Sequence, residues 1–301
     1  MKNIFNNLII STIELLPRSF IKIFAYKYVA GEIAENAITV VKDLNKKGFS
    51  VTLDILGEHV SNKNTAEEIS NEYQKLLIEI KQNDLDCNLS IKPSHLGMDI
   101  NFDCAKKNIM DIIEKANEYN NFIRIDMEDS TQTDLTIKLY NELKRNHDNV
   151  GIVHQAYLHR SEKDIKNNSK MKNFNFRLCK GIYKEPPEKA MQDKNSINEN
   201  FIKLLKYAFL NDIYVAIATH DISLIKEAYA LINKMNIKKN TFEFQVLYGV
   251  PMSGWLEKHL SNNYKVRIYV PFGKDWHEYS MRRLKENPNI AKHILRDMFK
   301  T

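Results

Sequence analysis

Glycine is scarce in this chain, with nine among 301 residues, and no G-x-G occurs. That excludes the glycine fingerprint of dinucleotide-binding sheets and the phosphate loop. Both need closely spaced glycines so that backbone can approach a phosphate. Any nucleotide cofactor must be held in another way. Cysteine is scarce too. Cys87, Cys104 and Cys179 form an odd, unclustered set, which points to a reducing compartment without structural disulfides. No C-x-x-C or Cys/His cluster has zinc spacing. Long apolar runs are missing as well. Residues 8–16 come nearest, but Glu14 interrupts them, and Pro17 and Arg18 end them. The stretch is too short to span a bilayer and lacks a small-residue cleavage site. It reads as an amphipathic helix of a soluble protein. The net charge is +6, yet the lysines are scattered, with no basic block interleaved with aromatics. Nucleic acid is therefore not an expected partner.

What is present is a repeated short apolar run, each followed by a polar, helix-like stretch. The runs are 51–56, 87–91, 122–127, 151–157, 176–179, 214–219, 241–247 and 266–270. Strands alternating with helical segments imply parallel βαβ units. Eight such units in about 225 residues match the size of a (βα)8 barrel of the TIM type. A doubly wound open sheet is the alternative. The segments 64–81, 104–118, 134–145, 196–210, 223–235 and 255–260 carry apolar residues at i, i+3, i+4 spacing, as helices packed on a sheet require. No Pro/Gly/Ser-rich linker divides the chain. The expectation is one domain, with a helical cap over 1–47, a barrel over 48–273 and a C-terminal helix over the barrel mouth from 274 to 301.

Gly57, Gly97, Gly181, Gly249 and Gly273 fall at or just past the ends of predicted strands. In a barrel that face carries the active site. Strands covered on both sides should be almost wholly apolar, but these carry charges, which are costly to bury unless paired. Arg124, Glu243 and Arg267 come early in their strands and are expected to form an ion-paired plug near the floor. Lys92, Asp126, Arg177 and His220 come late, where polar groups from several strands converge on one pocket. In the last segment, Tyr279, Arg282, Arg283 and Glu286 share one broad helical face. An adjacent Arg pair beside an aromatic is an anion clamp in outline, suited to a carboxylate or phosphate. The alternative is a solvated basic helix.

These blocks resemble the proline dehydrogenases, flavin-dependent (βα)8 enzymes. The matching stretches are Tyr28-Val-Ala-Gly31, Ile91-Lys-Pro-Ser-His-Leu-Gly97, Arg124-Ile-Asp-Met-Glu-Asp-Ser130 and Gln155-Ala-Tyr-Leu-His-Arg160. They continue with Arg177-Leu-Cys-Lys-Gly-Ile-Tyr183, Ala218-Thr-His-Asp221, Phe242-Glu-Phe-Gln-Val-Leu-Tyr-Gly249 and Arg267-Ile-Tyr-Val-Pro-Phe-Gly273, followed by Tyr279 to Glu286. The resemblance runs through every predicted strand.

It implies oxidation of L-proline to Δ1-pyrroline-5-carboxylate on FAD, with electrons passed to a quinone. It implies a monofunctional enzyme, cytoplasmic and in peripheral contact with the inner face of the cell membrane. Carried over by motif, Lys92, Arg282 and Arg283 hold the proline carboxylate. Tyr183, Leu247, Tyr269 and Tyr279 wall the ring, and Asp126 orients Lys92 and its surroundings. Arg177 sits near flavin N5. Gln155, Lys180, Gly181, Tyr183, Thr219, His220 and Glu286 contact FAD, and Glu58 acts as a gate that pairs with the Arg pair. Cys179, Ile182 and the pair Val250-Pro251 depart from the family's usual pattern beside the site.

Two other readings stay open. His59, His95, His154 and His220 near strand ends could build a barrel metallohydrolase site, although none forms the H-x-H usual there. A non-catalytic barrel that senses a small amino acid is the other. Cys179 reads as a buried inert thiol rather than a nucleophile.

Overall fold

The computed structural model describes residues 21, 22 and 25–286, with side chains as far as residue 281. The predicted N-terminal amphipathic helix and the stretch beyond residue 286 lie outside the described residues. Eight parallel strands close into a barrel in chain order, and the doubly wound alternative falls. The strands are β1 (Ser50–Ile55), β2 (Cys87–Ile91), β3 (Ile123–Ile125), β4 (Val150–Gln155), β5 (Asn175–Cys179), β6 (Tyr214–Ala218), β7 (Phe242–Leu247) and β8 (Val266–Phe272). Closure is made by β1 on β8, paired from Ser50 opposite Arg267 to Ile55 opposite Phe272. Every predicted run lies within two residues of its strand at both ends. β3 is the shortest, but the Asp126 amide still donates to the Ile91 carbonyl and extends its ladder by one bond.

Around the barrel run α1 (Ala34–Lys46), α2 (Lys63–Gln82), α3 (Phe102–Glu118), α4 (Thr133–Lys144), α5 (Ser161–Asn168), α6 (Lys194–Leu210), α7 (Ile222–Lys234), α8 (Trp255–Ser261) and α9 (Trp276–Glu286). Several start on a side-chain cap. Asn62 accepts from the Asn64 and Thr65 amides, Asn101 from Cys104, Asp193 from Ser196 and Asp221 from Ser223. Such caps satisfy amides that the helix itself leaves unbonded. α2 buries the stripe Ile69, Tyr73, Leu76, Leu77 and Ile80. Each large apolar side chain so buried stabilises the fold by about 1.5–3 kcal/mol. The Tyr73 hydroxyl accepts from the Ile55 amide at 3.2 Å and ties α2 to the end of β1.

α5 was not expected from the sequence. Its buried residues are Ser161, Asp164, Ile165 and Asn168, so its inner face is polar and shows no apolar period. Among the described residues, no helix is long and apolar enough to cross a membrane.

The strands alternate with period two, as pleated backbone requires. Val51, Leu53, Leu89, Ile91, Ile123, Ile125, Ile152, Phe176, Leu178, Val215, Ile217, Phe244, Val266 and Ile268 join the apolar core with the helices. The charged residues Asp54, Arg124, Arg177, Glu243 and Arg267 all fall between them, and Arg267 pairs with Glu243 inside the barrel. Charge in these strands therefore marks the lumen.

Candidate active site

At the floor, the Arg267 Nε donates to Glu243 Oε1 at 3.0 Å and Oε2 at 3.2 Å, and its Nη1 donates to the Val51 carbonyl at 2.6 Å. Burial alone would raise the Glu243 carboxyl. The Arg267 guanidinium, with Lys265 and Gln245, outweighs it and brings the pKa down to about 2. This is the expected ion-paired plug. Arg124 is not part of it, which corrects the sequence expectation. Its guanidinium donates to the Ile152 and Asn175 carbonyls, both at 3.0 Å, and to the Asn175 side chain. Burial, reinforced by the nearby charge of Arg177, lowers its pKa to about 9. Gly151 makes room for this arrangement. A Cβ there would sit 2.4 Å from Arg124 Nη1 and 2.7 Å from the Asn175 carbonyl oxygen.

Gln245 links the floor to the middle of the lumen. Its Nε2 donates to Glu243 at 2.6 Å, and its Oε1 accepts from Arg177 Nε at 2.6 Å. Arg177 Nη1 then reaches Asp126 Oδ1 at 2.7 Å, which also accepts from Ser90 at 2.6 Å. The other Asp126 oxygen accepts from the Tyr269 hydroxyl at 2.9 Å. The Arg177 guanidinium lies 5.1 Å from the Tyr269 ring centroid, a cation–π distance. Asp126, Arg177 and Tyr269, singled out in the sequence, thus form one bonded group near the strand C-terminal ends.

Lys92 follows β2. Its Nζ donates to both oxygens of Asp54 at 2.8 Å. The carboxylate hydrogen-bonded to Lys92 is therefore Asp54, while Asp126, which the resemblance assigns to Lys92 and its surroundings, bonds Arg177, Ser90 and Tyr269 and reaches Lys92 through its charge. Burial works against the Lys92 charge, but Asp54 and Asp126 hold its pKa above the ordinary lysine value. Burial raises the Asp54 carboxyl. With both oxygens accepting from one ammonium, however, its geometry is that of a carboxylate. Asp54 was missed in the sequence because only its place inside β1, where the run should be apolar, could have marked it.

The remaining predicted positions lie at or just after strand ends, or on α9. Gln155 ends β4 and donates to the Met127 and Glu128 carbonyls, each at 3.3 Å. Lys180 follows β5 and pairs with Asp221 at 2.6 Å. Thr219 Oγ1 accepts from the Asp221 amide at 3.1 Å. His220 Nε2 accepts from the Leu247 amide at 2.9 Å, which places the proton of the neutral ring on Nδ1. Gly181 packs on the Tyr157 ring, while Tyr183 is partly buried beyond it and Tyr279 is buried on α9. Arg282, Arg283 and Glu286 lie in the last turns of α9, but their side chains are outside the described residues.

The loop after β1 carries Glu58. His59 donates its amide to Ser94 Oγ at 3.1 Å, and its Nδ1 lies 2.8 Å from Asp99 Oδ2. Ser94 is itself held by Glu128, which accepts from its amide at 2.9 Å and from its hydroxyl. Gly57 begins the loop with φ 152, and a Cβ there would lie 2.2 Å from His95 Nε2.

The four histidines do not converge. His59 pairs with Asp99, His95 lies under Gly57, and His220 bonds Leu247. His154 packs among Phe174 and Phe176. Among the described residues, no group of three or more His, Cys, Asp or Glu is placed to hold a metal. Burial pushes the Cys87 thiol up to about 12 and the Cys179 thiol up to about 11, so neither is primed as a nucleophile. A cavity of about 280 Å³ lined by Asp84, Asp86, Asn121 and Arg267 lies where the strands begin, at the end opposite Lys92.

Comparison with known proteins agrees with this arrangement. The family model described as proline dehydrogenase matches residues 37–296. Proline dehydrogenase 1 of Bacillus subtilis subsp. natto is 36% identical over 277 residues, covering 92% of this chain and 91% of the relative. Proline dehydrogenase of Deinococcus radiodurans is 34% identical over 294 residues, covering 96% and 94%. Proline utilization A from Bdellovibrio bacteriovorus, solved in a form inactivated by N-propargylglycine, superimposes with a TM-score of 0.81 at 26% identity. That match covers 88% of this chain and 32% of the other, so the chain spans about a third of the solved protein's length. With a barrel of this register and matches along nearly its whole length, the chain belongs to the proline dehydrogenase family.

Proposed function

We propose that this chain oxidises L-proline to Δ1-pyrroline-5-carboxylate, the first step of proline catabolism to glutamate, and passes the electrons by way of FAD to a quinone. The observation that carries this reading is the pair of buried cations, Lys92 and Arg177, each fixed by its own carboxylate. One suits a substrate carboxylate, and the other suits charge on a bound cofactor. In this reading residues 1–47, 48–273 and 274–301 work as cap, barrel and closing helix of one domain.

The residues present fit a flavin. Among the described residues, Arg177 Nη2 and Gln155 Oε1 are buried polar atoms without a partner. A donor and an acceptor left open in this way are costly unless a bound group completes them. Gln155, Arg177, Lys180, Gly181, Tyr183, Thr219, His220 and Glu286 would hold the group. FAD, when bound, supplies the hydride acceptor.

The chain's own part is to place and polarise. Lys92, Arg282 and Arg283 bind the carboxylate, while Tyr183, Leu247, Tyr269 and Tyr279 confine the ring. Fixing a small ring in reactive orientation is worth up to roughly 7–11 kcal/mol. Arg177, backed by Asp126, favours negative charge growing beside it. Glu58 closes the site through the Arg pair. The +6 charge and the N-terminal segment favour peripheral contact with an anionic membrane from the cytoplasmic side.

The test is an absorption spectrum. The purified protein is expected to be yellow, with its flavin bands bleached by anaerobic L-proline. A flavin-loaded protein whose spectrum stays unchanged at saturating proline refutes the assignment.

A further inference from the structure

Asp54 has no part in the motif resemblance, yet it is the most buried carboxylate near Lys92, at 1% exposure. Both its oxygens accept from Lys92 Nζ at 2.8 Å. An ammonium has three donors. Two face Asp54, which leaves the third for an incoming anion. The other charged or titratable groups around Lys92 are Asp126 and Glu128 after β3, Glu58 in the loop after β1, and His95 in the turn that follows Lys92. Tyr269 of β8 stands beside Asp54 and Asp126. None of these replaces Asp54. Asp126 gives its oxygens to Arg177, Ser90 and Tyr269. Glu128 gives its own to Ser94, and burial brings His95 down to about 4, a neutral ring. Were Lys92 to lose its proton, Asp54 would be left as a buried charge without a cation, which is strongly unfavourable.

We propose that Asp54 is a positioning residue that fixes Lys92 Nζ and keeps it cationic, so that Lys92 binds the substrate carboxylate and does not accept the amine proton. This rests on the proline reading for the identity of the substrate, not for the pairing itself.

The test compares the flavin-loaded wild type with Asp54→Asn and Asp54→Glu. The readouts are proline kinetics and the binding of cyclopentanecarboxylate, which has the ring and the carboxylate but no amine to titrate. In the wild type, probe affinity is expected to stay flat from about pH 6 to pH 9, below the titration of a paired lysine. In Asp54→Asn, KM and the probe Kd are expected to rise by at least about tenfold, most strongly at the alkaline end, with a smaller change in kcat. Asp54→Glu is expected to restore the flat profile. An Asp54→Asn enzyme that binds the probe like the wild type at every pH overturns the proposal. Should that variant fail to fold, NMR of isotope-labelled lysine in the wild-type holoenzyme decides. Titration of Lys92 below about pH 9 overturns the proposal, and titration above it supports it. A wild type that turns over no proline would sink the functional reading instead, while the NMR titration would still test the pairing.

Discussion

Replacing Glu243 by Gln keeps the shape of the side chain and one acceptor, but removes the charge that Arg267 faces. Both residues are at most 5% exposed, so bulk water replaces the pairing poorly. The size of the loss follows from the carboxyl itself. A group displaced from its ordinary 4.5 to about 2 favours the folded state, when ionised, by about 3 kcal/mol. That agrees with the roughly 3–5 kcal/mol lost when one partner of a buried pair is removed. Because the folded pKa is lowered, the contribution is complete above about pH 4.5 and disappears as the pH falls towards about 2. Thermal melting of wild type and Glu243→Gln should therefore differ by roughly 5–10 °C at neutral pH. The gap should narrow as the acid range is entered. A shift of under about 1 °C at neutral pH, or a gap independent of pH, would refute the claim that the floor pair is a net stabilising feature.

Three further outcomes are expected. Gly57→Ala places a methyl 2.2 Å from His95 Nε2 at a positive φ, so melting should show a loss of about 1–3 kcal/mol, and proline KM should change because Glu58 shares the loop. A melting curve and KM equal to wild type would count against the close contact. Arg282→Ala should retain flavin in the absorption spectrum yet lose proline turnover; retained turnover would count against the clamp, and a wild type that binds proline without oxidising it would favour the sensing barrel. In the proposed reaction hydride leaves readily only from a neutral amine, so kcat/KM should increase with pH between about 6 and 9. A flat profile over that range would contradict it.

The barrel was legible because its outward residues are apolar at period two while helices fill the gaps. The same alternation exposed the lumen, since Arg177, Glu243 and Arg267 stand where a covered strand should be apolar. Which charge meets which was not legible. Asp126 and Asp54 both lie in strand-end runs, and only the closed geometry gives Lys92 to Asp54. Arg124 looked like a third member of the floor pair. Its true partners are two backbone carbonyls and the neutral side chain of Asn175, none of which carries a charge signal in a sequence. The polar inner face of α5 hid that helix for the same reason, as its contacts are hydrogen bonds rather than an apolar stripe.

The pairing of β1 with β8 joins residues more than 200 positions apart, from Ser50–Arg267 to Ile55–Phe272. During synthesis the first strand therefore waits for the last. Until Phe272 has left the ribosome, both β1 and β7 present unpaired edges, which invite association with other chains. The floor pair waits as well, because Glu243 is made before Arg267 and has no guanidinium to meet until then. Such long-range closure is slow to nucleate, and the interval before it is when a chaperone would have most effect on yield.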